Sequence, residues 1–208
     1  MIITYQGVES FKISQGNLVL AINPVSKDSK YKSVNFGADI TLISTNHPDM
    51  NGAEQTARGD KEPFIIKGPG EYEVKDISIK GLLSKSEYDG KELVNTIYKI
   101  MFENINLCFL GAVSDSALPT ETLGELGNID ILFVPIGGKG VLDPTSAYKL
   151  AVSLEPSVII PMHFESGSQE LKQFLKEGEG DVEELDKLVI KKSDLDNKES
   201  EVIVLKEE

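Results

Sequence analysis

The sequence predicts an α/β protein, strand-rich in its first half and alternating between strand and helix in its second. Two observations predict it. Up to Leu110 the apolar residues fall in short, often β-branched runs separated by Gly, Asn and Asp turns. Between Ile129 and Met162 two continuous apolar runs flank a segment of helical spacing, the pattern of a parallel strand, helix, strand unit.

In chain order, Met1 to Tyr5, Ser10 to Ser14 and Asn17 to Ile22 read as strands, and Gln15-Gly16-Asn17 marks a hairpin turn between the last two. Asp39 to Ser44 suits a buried strand that delivers Thr45 to Asn51 into a loop. Phe64 to Lys67, Glu71 to Val74, Ile77 to Leu83, Asn95 to Phe102 and Asn106 to Leu110 continue the β pattern. Their turns fall at Gly68-Pro69-Gly70, Lys75-Asp76, Asp89-Gly90 and Glu103-Asn104. Ile129 to Ile136 is a buried strand. Pro144 to Leu154 is a helix with Asp143 as N-cap and Pro144 at its first position, and Ser157 to Met162 is the next strand. Ser168 to Lys176 is an amphipathic helix ended by Gly178, and Lys187 to Lys191 with Glu201 to Leu205 is expected to close the chain as a hairpin.

The 208 residues suffice for one substantial core, so a single domain spanning 1–208 is expected. No run of 18 apolar residues occurs, and Met1 to Gly7 lacks a basic segment leading into an apolar one. The expectation is therefore a cytoplasmic protein with no membrane partner. A net charge of −13 with one arginine, Arg58, argues against nucleic acid, because phosphate contacts require clustered cations. From Glu165 onward, 14 acidic residues face 7 basic ones, which reads as a solvated surface. The lone Cys108, inside an apolar run, reads as a buried strand residue.

Both histidines sit in motifs. His47 lies in Leu42-Ile-Ser-Thr-Asn-His-Pro-Asp-Met-Asn51, a strand end and loop, and His163 closes the run Ile159-Ile-Pro-Met-His163. Between them come Gly68-Pro-Gly-Glu-Tyr-Glu-Val74, Asn95-Thr-Ile-Tyr98, Cys108-Phe-Leu-Gly-Ala112 and Phe133-Val-Pro-Ile-Gly-Gly138. In this order the motifs resemble the metallo-β-lactamase superfamily, in particular its small lactonase-like branch, over nearly the whole chain. The resemblance implies an αββα sandwich with a one- or two-zinc site at one edge. Zinc there would generate hydroxide from water, whose pKa it lowers to about 7 when several ligands hold the ion and one position stays open.

The resemblance also implies which residues stand in the ligand slots. His47, Asp49 and His163 keep theirs, whereas Thr45 and Met50 replace histidines and Ala112 replaces an aspartate. Asn23 stands where an aspartate is usual, and Ser86 near a missing histidine. A hydroxyl and a thioether are poor zinc ligands. A complete structural zinc site is worth roughly 10–16 kcal/mol, so each lost ligand removes several decades of affinity. Tight binding of two metals is not expected.

Each residue also has a plainer reading. His47 serves as a residual ligand or as a polar loop group. Asp49 is the candidate catalytic base if a metal orients water beside it, or the first-turn acid of a helix following Pro48. His163 is a ligand or a donor to a backbone carbonyl. Gly138 and Lys139, within Gly137-Gly138-Lys139-Gly140, are candidates for anion binding through backbone amides and the ammonium group, or form a mobile rim of the pocket. The leading expectation is a hydrolase scaffold with a degenerate zinc site, weak or inactive as an enzyme and acting by binding. The alternative is a hydrolase of a small lactone, ester or phosphoester with one metal on His47, Asp49 and His163. A small-molecule ligand, a protein partner and a second copy of the chain all remain open as partners.

Overall fold

The computed structural model describes residues 1–60, 62–178 and 182–208. Its strands are β1 (Ile2–Tyr5), β2 (Phe11–Gln15), β3 (Leu18–Ile22), β4 (Ile40–Leu42), β5 (Phe64–Ile66), β6 (Gly70–Val74), β7 (Ile77–Ser86), β8 (Leu93–Phe102), β9 (Ile105–Phe109), β10 (Ile131–Pro135), β11 (Val158–Met162), β12 (Glu184–Leu185), β13 (Leu188–Val189), β14 (Glu201–Val202) and β15 (Val204–Leu205). The α-helices are α1 (Thr120–Leu126), α2 (Pro144–Ser153) and α3 (Gln169–Glu177). One sheet runs β13-β1-β2-β3-β4-β5 and the other β14-β11-β10-β9-β8-β7-β6.

The two sheets pack face to face. Ile3, Tyr5, Phe11, Ile13, Leu20 and Ile22 of the first meet Tyr98, Ile100, Phe109, Phe133 and Ile160 of the second. Phe11 is central to this core, its ring edge-on to Phe133 at 4.7 Å and to Phe109 at 6.3 Å between centroids. The strand residues that alternate with these, Ile97, Cys108, Leu132, Val134 and Ile159, point the other way, under Leu126 of α1, Leu150 of α2 and Phe174 of α3. Burial on both faces explains why β9, β10 and β11 read as continuous apolar runs. The first sheet is covered differently: Val34, Phe36 and Ala38 from an irregular segment lie over Ala21. Helices therefore layer one side of the sandwich and a loop the other.

Local chemistry sets most boundaries. Lys75-Asp76 and Glu103-Asn104 each carry two consecutive left-handed residues, the geometry of a tight hairpin turn. Asp143 caps α2 by accepting from the Thr145 and Ser146 amides, and Ser168 caps α3 by accepting from Leu171. Strands β10 and β11 pair in parallel across α2, as the spacing predicts.

Three local readings are corrected. The C-terminal hairpin does not form: β13 pairs antiparallel with β1, while β14 pairs in parallel with β11 and β15 with β12. Leu188, Ile190, Ile203 and Leu205 all reach the inter-sheet core and Val204 the helix-covered one, so what separates the two segments is their strand partners. Helix α1 has no counterpart in the sequence pattern, because no side chain caps it and Gly124 interrupts its spacing. The helical turn after the His47 loop is a 3-10 turn at Ala53–Thr56 with Gly52 ahead of it and Glu54 in its first turn, so Asp49 is not a helix-start acid.

Truncating Phe133→Ala is expected to destabilise the fold by about 3–5 kcal/mol in urea unfolding, through lost transfer energy and an unfilled cavity. Leu83→Ala, on a side chain 63% exposed, is expected to change stability by less than about 0.5 kcal/mol.

Candidate functional site

The ends of several strands meet at one edge of the sandwich. The loop after β4 brings Thr45, His47, Asp49 and Met50, the end of β9 brings Ala112, and β11 ends at His163. The turn after β7 brings Tyr88, and the first sheet contributes Glu9 between β1 and β2. Beside these residues opens a cleft of about 1050 Å³, whose lining includes Tyr88, Gly138, Lys139 and His163.

His163 is held by Glu9. Its Nδ1 lies 2.9 Å from Oε1 of the fully buried Glu9 carboxylate, whose other oxygen accepts from Asn23 Nδ2 at 3.0 Å. This contact engages Nδ1, and Nε2 is the ring's remaining nitrogen. The partner of His163 is therefore a side chain, where a backbone carbonyl was one expectation. Val8, Asn23 and His163 all have left-handed backbone, with φ of 55°, 44° and 62°. This conformation is costly for residues other than glycine and is held here by surrounding bonds. Among them, the His163 amide donates to the Val8 carbonyl, which also accepts from the Tyr5 hydroxyl. Gly137 lets the chain pass close to His163, because a Cβ there would collide with the His163 carbonyl oxygen.

Asp49 and His47 meet at Tyr88. The Tyr88 hydroxyl donates to Asp49 Oδ2 at 2.8 Å, and the Ser29 hydroxyl donates to Oδ1. Both oxygens of the proposed base are thus engaged. The Tyr88 ring stands edge-on to both imidazoles, with centroids 5.0 Å from His47 and 5.0 Å from His163. Burial, reinforced by the bond to Asp49, pushes the Tyr88 phenol well above its usual range, so it stays protonated as a donor. Its position is fixed from both sides: the Tyr88 amide donates to Ser86 Oγ at 3.1 Å, and a Cβ at Gly140 would lie 2.7 Å from the Tyr88 Cα. His47 Nδ1 accepts the Asp49 amide at 3.2 Å, and Nε2 lies 3.7 Å from Asp89, whose carboxyl Lys91 holds below the usual range.

The substituted slots are packed. Met50 and Ala112 are fully buried and form an apolar cluster with Tyr88 and Val141. The Thr45 hydroxyl donates to Asn95 Oδ1 at 2.9 Å, and that oxygen also accepts the Ala112 amide at 3.0 Å. Asn95 Nδ2 donates to Ser84 Oγ and to the Leu110 carbonyl, so both its donors and its acceptor oxygen are used. Asn23 does similar work next door, donating to Ser44 Oγ at 2.7 Å and accepting the Ser44 amide at 2.7 Å.

These residues do not fit the zinc site that the resemblance implies. His47 Nδ1 already accepts the Asp49 amide within its own turn. Asp49 is occupied on both oxygens, and hydrocarbon fills the Met50 and Ala112 slots. Among the described residues, no three His, Cys, Asp or Glu side chains are grouped as metal ligands would be. The anion reading of the glycine loop also changes, since the Gly138 amide donates to the Leu142 carbonyl at 2.9 Å and is not free. Lys139 lines the cleft together with acidic residues such as Glu87 and Glu165.

Glu9, Tyr88 and Asn95 are the site residues that sequence reasoning did not assign. Glu9 carried a faint signal, a carboxylate in a hydrophobic setting before Phe11, whereas Tyr88 in a polar turn carried none. Asn95→Ala is expected to cost more than about 2 kcal/mol, because each stranded buried partner costs about 1–3 kcal/mol. Urea unfolding measures it, and Ser84→Ala, which removes one partner only, should cost less.

The model of a β-lactamase superfamily domain matches residues 2–163. A metal-dependent hydrolase of Bacillus cereus is 25% identical over 194 residues, covering 79% of this chain and 86% of the relative. A solved protein of Thermotoga maritima, provisionally described as a Zn-dependent hydrolase of the metallo-β-lactamase superfamily, superposes with a TM-score of 0.76 at 26% identity, over 98% of this chain and 97% of the other. A further solved structure, the metallo hydrolase Igni18 of Ignicoccus hospitalis, gives 0.62 at 21% identity, over 98% and 94%, and speaks to the fold alone. No helix among the described residues is long and apolar enough to cross a membrane. The chain belongs to the β-lactamase superfamily and has the metallo-β-lactamase fold.

Proposed function

We propose that this chain is a relative of the fold's metal-dependent hydrolases that retains the cleft but works without a dinuclear metal centre, binding a small molecule with weak or absent metal-dependent turnover. The observation that supports this most is the filling of the ligand slots: Met50 and Ala112 pack with Tyr88, and Tyr88 and Ser29 take both oxygens of Asp49. Opening such a packed place costs burial energy that a metal with few ligands does not offset.

A second reading, hydrolysis of a small lactone, ester or phosphoester with a single metal at His163, has specific support of its own. The Bacillus relatives are named metal-dependent hydrolases. The Glu9 contact also has the form by which metal-bound histidines are commonly oriented, one ring nitrogen donating to a carboxylate.

Elemental analysis of protein purified without a histidine tag, with zinc titration and a lactone, ester and phosphoester panel, separates the two. The expected outcome is zinc far below one ion per chain and no zinc-dependent turnover. Near-stoichiometric zinc, lost together with turnover in His163→Ala, would replace the first reading with the second.

A further inference from the structure

The resemblance marks six positions as ligand slots, Thr45, His47, Asp49, Met50, Ala112 and His163, and one side chain contacts three of them and shares an apolar cluster with two more. Tyr88 contacts both imidazoles edge-on, donates to Asp49, and shares its apolar cluster with Met50 and Ala112. These residues come from the β4 loop, the end of β9 and the end of β11, so a group that touches them all occupies the place where they converge. A metal and a phenol ring cannot share that volume. Tyr88 is also only 6% exposed, and its backbone is held where the amide donates to Ser86 Oγ and Gly140 passes close to its Cα.

We infer that Tyr88 is the plug of a latent divalent-cation site: it stands between the remaining donors His47, Asp49 and His163, contacts each of them, and takes over the cross-linking that a metal would otherwise provide. The three donors hold the tyrosine. Asp49 accepts its hydroxyl and the two imidazoles stand edge-on to its ring, which gives these residues a structural role. Deleting the ring leaves a cavity lined by two imidazoles and a carboxylate, a polar site that suits a borderline cation such as zinc.

This inference rests on the proposal that the wild-type chain lacks a metal centre, and the experiment keeps the two apart. Tag-free wild type, Tyr88→Phe, Tyr88→Ala and Tyr88→Val are titrated with zinc by calorimetry, dialysed and assayed for bound zinc. Thermal unfolding is followed with and without zinc. Wild type and Tyr88→Phe, which keeps the ring, are expected to retain essentially no zinc and show no zinc-dependent shift in Tm. Tyr88→Ala is expected to unfold at lower temperature without zinc, to retain about one zinc per chain, and to regain part of the lost Tm when zinc is added. Adding His163→Ala should abolish that uptake. Tyr88→Val asks the same question with a side chain that fills more of the space and adds no ligand, and decides the matter if the alanine variant does not fold.

Near-stoichiometric zinc in the wild type would overturn this inference and the proposed function together. A zinc-free wild type with folded, equally zinc-free Tyr88→Ala and Tyr88→Val would overturn the plug alone. Uptake that survives His163→Ala would place the ion elsewhere and also overturn it.

Discussion

The side-chain amide of Asn95 joins the two sheets where the cleft begins. Buried at the start of β8, it accepts from the Thr45 hydroxyl and the Ala112 amide and donates to Ser84 and to the Leu110 carbonyl. The loop after β4 in the first sheet and the end of β9 in the second are thereby held at fixed separation. Everything further along those loops, from His47 to Met50 on one side and Ala112 on the other, takes its position from this junction. A buried amide with all its partners is rigid, because any movement strands a polar group away from water. Tyr98, three residues along the same strand, adds a second cross-sheet bond from its hydroxyl to the Ile43 carbonyl at 2.8 Å.

Around that junction the site is built like a core. A metal centre collects unlike ligands by offsetting the cost of their convergence with coordination bonds; here hydrocarbon contacts, an aromatic cage and a phenol bond to Asp49 hold the same loops together. The Glu9–His163 pair differs from the rest. It is polar, buried on the carboxylate side and open to the cleft on the imidazole side, and it depends on left-handed backbone at Val8, Asn23 and His163. Strain of this kind persists where the neighbouring bonds determine the conformation. It marks this corner as the chemically most distinctive part of the cleft.

Much of the architecture was legible in the chain. Alternation and turn residues locate β1 to β9 to within a few residues, and the Asp143-Pro144 and Ser168 signals locate α2 and α3, because these features act over a few neighbours. The closing hairpin fails for the opposite reason: its segments pair with strands far along the chain, β13 with β1 and β14 with β11, and such long-range partners are not encoded in a few neighbours. At the site, the motif order leads to His47, Asp49 and His163, but not to the residues that surround them.

The sequence by itself determined the α/β class, most of the strand order, the helices α2 and α3 and the superfamily resemblance, since these follow from local pattern and motif order. Only the tertiary structure decided what packs around Thr45, Met50 and Ala112. Tyr88 lies 38 residues beyond Met50 and 24 before Ala112 in the chain, and no local pattern in a Ser-Glu-Tyr-Asp-Gly turn announces a buried ring. Its partners are chosen by the convergence of strand ends from two sheets, and such convergence is a property of the packed fold alone.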